Sequence, residues 1–312
     1  MIAERFLPFA LLFFVLAASS CVRQAEESQA SDGAKTGTTY QLYFLGGQSN
    51  MEGYGLTEDL SPELRKAAGQ VLIFNGDHQP DHVPVSGWGA WMPLGPGFGT
   101  GYKATPDSVT LSDRFGPELM FGHRMQELSD KPVAIIKYAR GGSSIAHGAS
   151  GFGSWQPEFY EGDSINSWDH FKQTVRLAME QKDIDGDGLD DELIPAGIAW
   201  MQGESDAMHE WSAQAYYNNL SDLMQKISRA LGQEQLPVVL GKITESGFDR
   251  PGGGMDYIET VHAAQEKYAA DSQNGLVSLD SITWLWDGWH YSSEDYLELG
   301  EKMANAIHEL NR

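Results

Sequence analysis

Cysteine is almost absent from this sequence. Cys21 is the only one, so a disulfide within the chain is excluded. Cations are scarce too, since 21 lysines and arginines stand against 44 aspartates and glutamates and give a formal net charge of -23. Phosphate groups would be repelled by this charge, which argues against nucleic acid or an anionic membrane surface as a partner.

The N-terminal residues show the features of an export signal. Residues 1–20 contain Arg5, an apolar run at residues 6–18 that is too short to cross a bilayer, and then small residues. Cys21 follows directly, and the arrangement resembles a bacterial lipoprotein signal, in which the cysteine carries a lipid and becomes the new N-terminus. The resemblance implies an exported protein whose only membrane contact is an N-terminal lipid anchor. Cleavage of an ordinary signal peptide, with Cys21 incidental, is the alternative.

The composition changes again after the signal. Residues 22–39 are rich in Gln, Glu, Ser, Thr and Gly, which predicts a disordered tether. Residues 40–312 show no internal repeat and no sign of a second domain, and we expect them to form a single folded domain.

Short apolar runs alternate with helical patterns along this domain. The apolar runs that predict strands lie at residues 40–45, 71–74, 133–138, 198–201, 237–243 and 276–279. Helical stripes lie at residues 168–178, 220–231 and 296–310, and Ser292 and Asp295 form a capping pair for the last one. Strands that alternate with helices predict an α/β fold with a parallel sheet covered on both faces. Two long stretches, residues 76–115 and 146–164, fall outside the alternation, and their length and aromatic content predict ordered, functional loops.

The stretch from Tyr40 to Gly53 organises the chain. An apolar strand stops at Gly46 and Gly47, whose backbone freedom allows a sharp turn, and Ser49 follows at the carboxyl end of the strand. Open α/β sheets bind their ligands outside these ends, so Ser49 stands where a nucleophile would be useful. A serine that caps a strand-to-helix turn is the alternative on this stretch alone.

A serine nucleophile needs a base, an acid that orients the base, and donors for an oxyanion. Asp287 and His290 lie three residues apart after the last predicted strand. The glycine in Arg140-Gly141-Gly142 can bring a backbone N–H close to a substrate oxygen, and the amide of Gln202 can donate a second hydrogen bond. Loops that follow parallel strands gather at one edge of the sheet, so these groups can be neighbours.

Four ordered blocks carry a resemblance to the SGNH-hydrolase superfamily. They are GQSNMEG at 47–53, RGGSS at 140–144, QGESD at 202–206 and DGWH at 287–290. They look most like the carbohydrate acetylesterases related to sialate O-acetylesterase and family 6 acetylxylan esterases. The resemblance implies a three-layer α/β/α sandwich of flavodoxin-like type, acetyl ester hydrolysis in two acyl-transfer steps, and no cofactor for catalysis.

The resemblance also implies residue roles. Ser49 is the nucleophile, His290 the general base and Asp287 its orienting acid, while Ser49, Gly142 and Gln202 form the oxyanion hole. Asparagine is usual in the superfamily where this chain has Gln202. Glu204 follows the same strand and is either a substrate-contacting residue or a rival for the acid role.

Three functions fit these residues. The leading hypothesis is an exported esterase that removes acetyl groups from a xylan-like polysaccharide or from sialic acid. A general short-chain or lipid esterase with the same triad, and an inactive glycan-binding lipoprotein, are the alternatives. Five loop tryptophans are expected to line a sugar groove and three others to lie in the core. The groove set is Trp88, Trp91, Trp155, Trp286 and Trp289, and the core set is Trp168, Trp200 and Trp211.

Two stretches contain metal-ligand residue types. Asp183, Asp185, Asp187 and Asp191 resemble the start of an EF-hand-like calcium loop, although Ile194 stands where a bidentate acid is expected. A structural calcium site and a hydrated acidic loop are the two alternatives there. For the DHQPDH stretch at residues 77–82 we favour a solvated loop over a metal site.

Overall fold

A seven-stranded sheet forms the middle layer of the fold. The computed structural model describes residues 36–66, 68–157, 164–245, 254–270, 274–285 and 287–312. The proposed signal, Cys21, most of the tether and Trp286 lie outside the described residues. None of the helices described is long and apolar enough to cross a membrane.

The six predicted strands are present, and strands alternate with helices after residue 115, whereas residues 76–115, predicted to be a loop, contain four short strands. The strands are β1 (Thr39–Gly47), β2 (Gly55–Leu56), β3 (Ala68–Asn75), β4 (Trp91–Leu94), β5 (Lys103–Thr105), β6 (Ser108–Thr110), β7 (Arg114–Phe115), β8 (Val133–Ala139), β9 (Glu192–Met201), β10 (Val238–Gly241) and β11 (Asn274–Val277). The helices are α1 (Ser49–Glu52), α2 (Glu118–Leu128), α3 (Ser167–Glu180), α4 (Glu210–Ala230), α5 (Ile258–Ala269) and α6 (Ser293–Leu310).

The central sheet has β1 in its middle. Its strand order is β11-β10-β9-β1-β8-β3-β4, and every pair is parallel except β3 with β4. β8 is buried along its whole length, as an apolar parallel strand covered on both faces should be. Because β1 pairs with β8 on one side and β9 on the other, the carboxyl ends of these strands meet at one edge.

Helices cover both faces of the sheet. Successive side chains of a strand point to opposite faces. Tyr43 packs edge-on against Phe121 of α2, whereas its neighbour Phe44 packs against Phe171 of α3. α6 packs beside α2, while α4 packs beside α5. The predicted three-layer α/β/α architecture with a parallel sheet is confirmed.

The last helix begins where the capping pair predicts. The Ser292 hydroxyl accepts the backbone N–H of Asp295, and the Asp295 carboxylate accepts the backbone N–H of Ser292 in return. This reciprocal cap satisfies two amide groups that the first turn leaves unpaired. It also fixes the chain directly after His290, which positions the loop that carries the candidate base.

The tryptophans are distributed differently from the prediction. Trp91 lies in the unpredicted edge strand β4, and Trp91 and Trp155 are buried in the core instead of lining a groove. Trp211 was expected in the core but is 51% exposed on α4. Its position falls outside the apolar stripe of that helix, so helical periodicity gives no reason to bury it.

Candidate active site

Ser49 is held at the sharp turn between β1 and α1. Gly47 has φ +144°, and a Cβ there would lie 1.9 Å from the carbonyl oxygen of Met201, so only glycine fits. The Gln48 N–H donates to the same carbonyl at 2.9 Å. The turn is thereby tied to the end of β9, and Ser49 begins a one-turn helix at the edge where β1, β8 and β9 end.

Asp287 and His290 form the predicted pair. His290 Nδ1 lies 2.7 Å from Asp287 Oδ2, and the other carboxylate oxygen accepts the backbone N–H groups of Trp289 and His290. Burial pushes the Asp287 pKa up, but the hydrogen bonds from the His290 ring and from these backbone groups outweigh it and keep the pKa below its ordinary value. The ionised carboxylate requires a proton on Nδ1, which leaves Nε2 as the acceptor.

Ser49 and His290 line one pocket of about 620 Å³, together with Gly142 and Glu204. The structure therefore brings the predicted nucleophile and base to one cavity. Among the described residues no hydrogen bond joins the Ser49 hydroxyl to the His290 ring. Such bonds commonly tighten only when the substrate is bound, and their absence in a free site does not exclude the pairing.

The loop after β8 supplies the predicted backbone donors. Gly142 adopts φ +72°, and a Cβ on the preceding Gly141 would lie 3.6 Å from the Cβ of Ser49. The Gly141 N–H donates to Glu52 Oε2 at 2.7 Å, which anchors this loop to α1. The backbone N–H groups of Ser49 and Gly142 have no acceptor among the described residues, so both are available to an incoming oxygen.

The structure does not bring the Gln202 side chain to the pocket. Gln202 is fully buried, and its amide nitrogen donates to Asp206 Oδ2 at 2.7 Å, to the Ser143 carbonyl at 3.2 Å and to Gln48 Oε1 at 3.4 Å. Burial raises the pKa of Asp206 to about 6, although its carboxylate accepts the backbone N–H groups of Ala146 and Ile145 and the Gln202 amide. Of this group only Gln48 lines the pocket, so an oxyanion role for Gln202 stays a prediction that requires its amide to turn.

Glu204 lines the pocket as a buried carboxyl group. Asn50 Nδ2 donates to its Oε1 at 3.1 Å, while Oε2 is buried without a partner. Burial raises the pKa of Glu204 to about 7. His290 Nδ1 faces Asp287 and not Glu204, so the geometry favours Asp287 as the orienting acid and a substrate-contacting role for Glu204.

Several pocket residues had no predicted role. Glu52 lies on α1 three residues after Ser49, and its Oε1 is 3.3 Å from His78 Nε2. The solvated-loop expectation for residues 77–82 fits Pro80 and His82, which are exposed. It is wrong for Asp77, which is buried and accepts the Ser86 hydroxyl and the Ala104 N–H, and for His78, which lines the pocket. The helical spacing from Ser49 could have indicated Glu52, whereas His78 is brought in by tertiary contacts alone.

The acidic loop gathers part of the predicted calcium-ligand set. The carboxylates of Asp183, Asp185 and Asp187 lie within 4.8 Å of one another, the one such group found in the described part of the chain. Asp191 turns away and accepts the backbone N–H groups of Thr38 and Ile184. The calcium site thus stays a prediction for the first three carboxylates, and Asp191 serves the loop's own fold.

The chain has a three-layer α/β/α fold, and three of its four sequence blocks begin where β1, β8 and β9 end. A family model described as carbohydrate esterase, sialic acid-specific acetylesterase matches residues 39–309, and the chain belongs to this family. The resemblance inferred from the four blocks is thereby confirmed.

Similar proteins agree with this placement. A probable carbohydrate esterase of Arabidopsis thaliana is 24% identical over 285 residues, which cover 85% of this chain and 89% of the relative. The solved structure of this Arabidopsis protein has a TM-score of 0.60 at 20% identity and covers 87% of this chain and 99% of its own. A carbohydrate acetylesterase from Xanthomonas citri gives a TM-score of 0.58 at 16% identity, over 87% of this chain and 56% of its own. At these identities the structural likeness concerns the fold.

Proposed function

We propose that this esterase removes acetyl groups from carbohydrates and uses Ser49, His290 and Asp287 as its catalytic residues. The observation that carries the proposal is the single pocket lined by Ser49, by His290 and by Gly142. His290 is held by Asp287 in the tautomer that a general base needs. Family membership supplies the reaction class.

The mechanism follows from these positions. His290 Nε2 takes the hydroxyl proton as Ser49 Oγ attacks the acetyl carbonyl, and the N–H groups of Ser49 and Gly142 stabilise the resulting oxyanion. The tetrahedral intermediate collapses, and the proton passes from His290 to the sugar oxygen. The sugar departs as an alcohol, and Ser49 remains acetylated. Water, deprotonated by His290, then attacks this ester. The bond between the acetyl carbon and Ser49 Oγ breaks, Oγ takes the proton from His290, and acetate is released. These steps use only side chains and backbone of the protein, and we propose that catalysis takes no cofactor.

The pocket supports a sugar as the alcohol. Phe152 and Met208 line it while 65% and 38% exposed, which leaves apolar surface on which a sugar face can pack. The Arg140 side chain also lines the pocket, donates from Nε to the Phe152 carbonyl, and has no ion pair among the described residues. An unpaired guanidinium suits the carboxylate of an acidic sugar, which favours O-acetylated sialic acid over acetylated xylan.

The cellular setting is proposed from the sequence. An export signal ending at Cys21 supports a lipid-anchored protein that acts outside the cytoplasm on acetylated glycans. A structural calcium ion at Asp183, Asp185 and Asp187 belongs to the same proposal and lies in the loop before β9, apart from the catalytic groups.

The proposal is tested by measuring the carboxylic acid that the purified full chain releases from each of three substrates. Substrates are O-acetylated sialic acid, acetylated xylan and a longer-chain ester. Ser49→Ala should abolish release from every substrate while the variant unfolds at the wild-type temperature. Ser221→Ala, at a half-buried position of α4 that does not line the pocket, is the matched control and should keep full activity. Acetate release by Ser49→Ala at the wild-type rate would refute the nucleophile, and a preference for the longer ester would refute the acetyl-sugar substrate.

A further inference from the structure

Tyr54 lies flat against the candidate general base. Its ring and the His290 imidazole are stacked with centroids 3.5 Å apart and planes 5° apart. Tyr54 follows α1 while His290 precedes α6, so this contact joins the two ends of the domain. We propose that Tyr54 is a positioning residue that fixes the plane of the His290 imidazole and thereby aims Nε2 at Ser49.

The imidazole needs such a constraint. His290 lies in the loop between β11 and α6, and its ring makes one hydrogen bond, from Nδ1 to Asp287. A single hydrogen bond fixes one ring atom but leaves the ring free to tilt about that contact. A parallel ring against one face removes the tilt, and it also favours the imidazolium that forms when His290 takes a proton.

Tyr54 is itself held firmly enough to act as a template. Its carbonyl accepts a hydrogen bond of 2.9 Å from the Arg114 guanidinium. The next residues form β2, which pairs with β7, and the Leu56 N–H donates to the Ser293 hydroxyl on α6 at 2.8 Å. The backbone that carries the ring is therefore fixed both to β7 and to the helix that follows His290.

The other end of the Tyr54 side chain reaches the oxyanion loop. A Cβ on Gly141 would lie 3.8 Å from the Tyr54 hydroxyl and 3.6 Å from the Cβ of Ser49. The side chain thus spans from the candidate base to the loop that carries the candidate oxyanion donors. Burial, aided by the charge of Glu52, raises the pKa of Tyr54, so the phenol stays neutral while the enzyme works.

The test separates the ring of Tyr54 from its hydroxyl, and it rests on the proposed function. Tyr54→Phe keeps the stacked ring, whereas Tyr54→Leu removes it. Tyr217→Leu is the control, because the Tyr217 ring on α4 lies under Lys267 of α5 and does not line the pocket. For each variant of the full chain we would measure kcat and KM for acetate release, the unfolding temperature, and the low-field proton signal of the hydrogen-bonded His290 Nδ1–H.

We expect the kcat of Tyr54→Leu to fall roughly ten- to hundred-fold, the cost typical of a misplaced catalytic group, with KM changed less than about three-fold. The low-field signal should broaden or vanish in this variant. Tyr54→Phe should keep the signal and most of kcat, and Tyr217→Leu should match the wild type.

Two outcomes would overturn the inference. Tyr54→Leu with wild-type kcat and an unchanged low-field signal would show that the ring does not position His290. An equal loss in Tyr54→Phe and Tyr54→Leu would assign the effect to the hydroxyl instead. If the wild type releases no acetate, the proposed function fails, but the proton signal still reports whether Tyr54 orders the imidazole.

Discussion

Two buried glutamates near the nucleophile differ in how well they are paired. Glu118 accepts Lys137 Nζ at 2.7 Å with one oxygen and the Gly116 N–H at 2.9 Å with the other. Glu204 accepts one hydrogen bond, from Asn50, and its second oxygen is buried without a partner. Both carboxylate oxygens of Glu118 are thus hydrogen-bonded, whereas one oxygen of Glu204, in the pocket wall, is not.

The difference assigns different roles to the two groups. Lys137 donates to Glu118, to the Glu52 carbonyl and to the Phe98 carbonyl, so this buried pair ties β8 to the end of α1. A half-satisfied carboxyl group lowers the stability of the fold, and such groups are concentrated at functional sites. We therefore read the Glu118 region as structure and the Glu204 oxygen as a group kept for the substrate.

Asp287→Asn is expected to have the largest effect, and it tests whether Asp287 or Glu204 is the carboxyl group that orients His290. Without the carboxylate the imidazole loses the tautomer that a base needs, and we expect kcat to fall about 10⁴-fold, the loss known for this substitution in a Ser-His-Asp triad. Glu204→Gln should cost far less in kcat and act mainly on KM, since Glu204 lines the pocket but does not contact the His290 ring nitrogen Nδ1. Steady-state acetate release decides between them, and a larger kcat loss in Glu204→Gln would make Glu204 the orienting acid.

Lys137→Met removes the cation that pairs with the buried Glu118 carboxylate. It leaves the Glu118 charge buried without its counterion, and Glu118 Oε2 and two backbone carbonyls without a donor, so we expect a loss of about 3–5 kcal/mol in the free energy of unfolding. Denaturant unfolding measures the loss. Lys302→Met is the control, because its exposed ion pair with Glu298 should be worth under about 1 kcal/mol.

A double variant separates the effect of the unpaired charge from a general failure to fold. Lys137→Met with Glu118→Leu removes both charges and should recover much of the stability. If Lys137→Met is as stable as the wild type, the Lys137 network does not hold the structure together. If only the double variant folds, the unpaired charge is the cause of the loss.

The sequence predicted the parts of the site that depend on local patterns. Glycine before Ser49, the three-residue spacing of Asp287 and His290, and Gly142 after an apolar strand are all read from neighbouring residues. The parallel sheet follows from the alternation of strands and helices, and it explains why these distant residues meet at one edge. The fold and the positions of the candidate triad could therefore be predicted from the sequence alone.

The remaining site residues could not be predicted because tertiary contacts decide them. Gln202 directly follows its strand as expected, but its amide donates to Asp206, four residues later, instead of facing the pocket. Tyr54 gains its place only through the contact with His290 at the other end of the chain. Trp155 fills a core space that no periodicity describes, since it lies in an irregular loop.

Glu204→Gln tests whether the Glu204 carboxyl lacks a hydrogen-bond partner, and it has the smallest expected effect on stability. The ordinary pKa of the Glu204 carboxyl is 4.5, and burial raises it to about 7. At a pH between these two values, the folded protein keeps the proton on Glu204 whereas the unfolded chain has lost it. The contribution of Glu204 to stability therefore falls as pH rises from about 4.5 to 7. Glutamine does not titrate, so the variant should match the wild type near pH 4 and exceed it at pH 8 by on the order of 3 kcal/mol.

Denaturant unfolding of both proteins across this pH range gives the difference directly. Asp206 also titrates in both proteins, so only the difference between the two curves isolates Glu204. Parallel stability curves from pH 4 to 8 would show that the Glu204 carboxyl is satisfied in solution, and the contrast with Glu118 would then disappear. A gain in stability at pH 8 together with weaker substrate binding would show that the fold gives up stability to keep this carboxyl in the pocket.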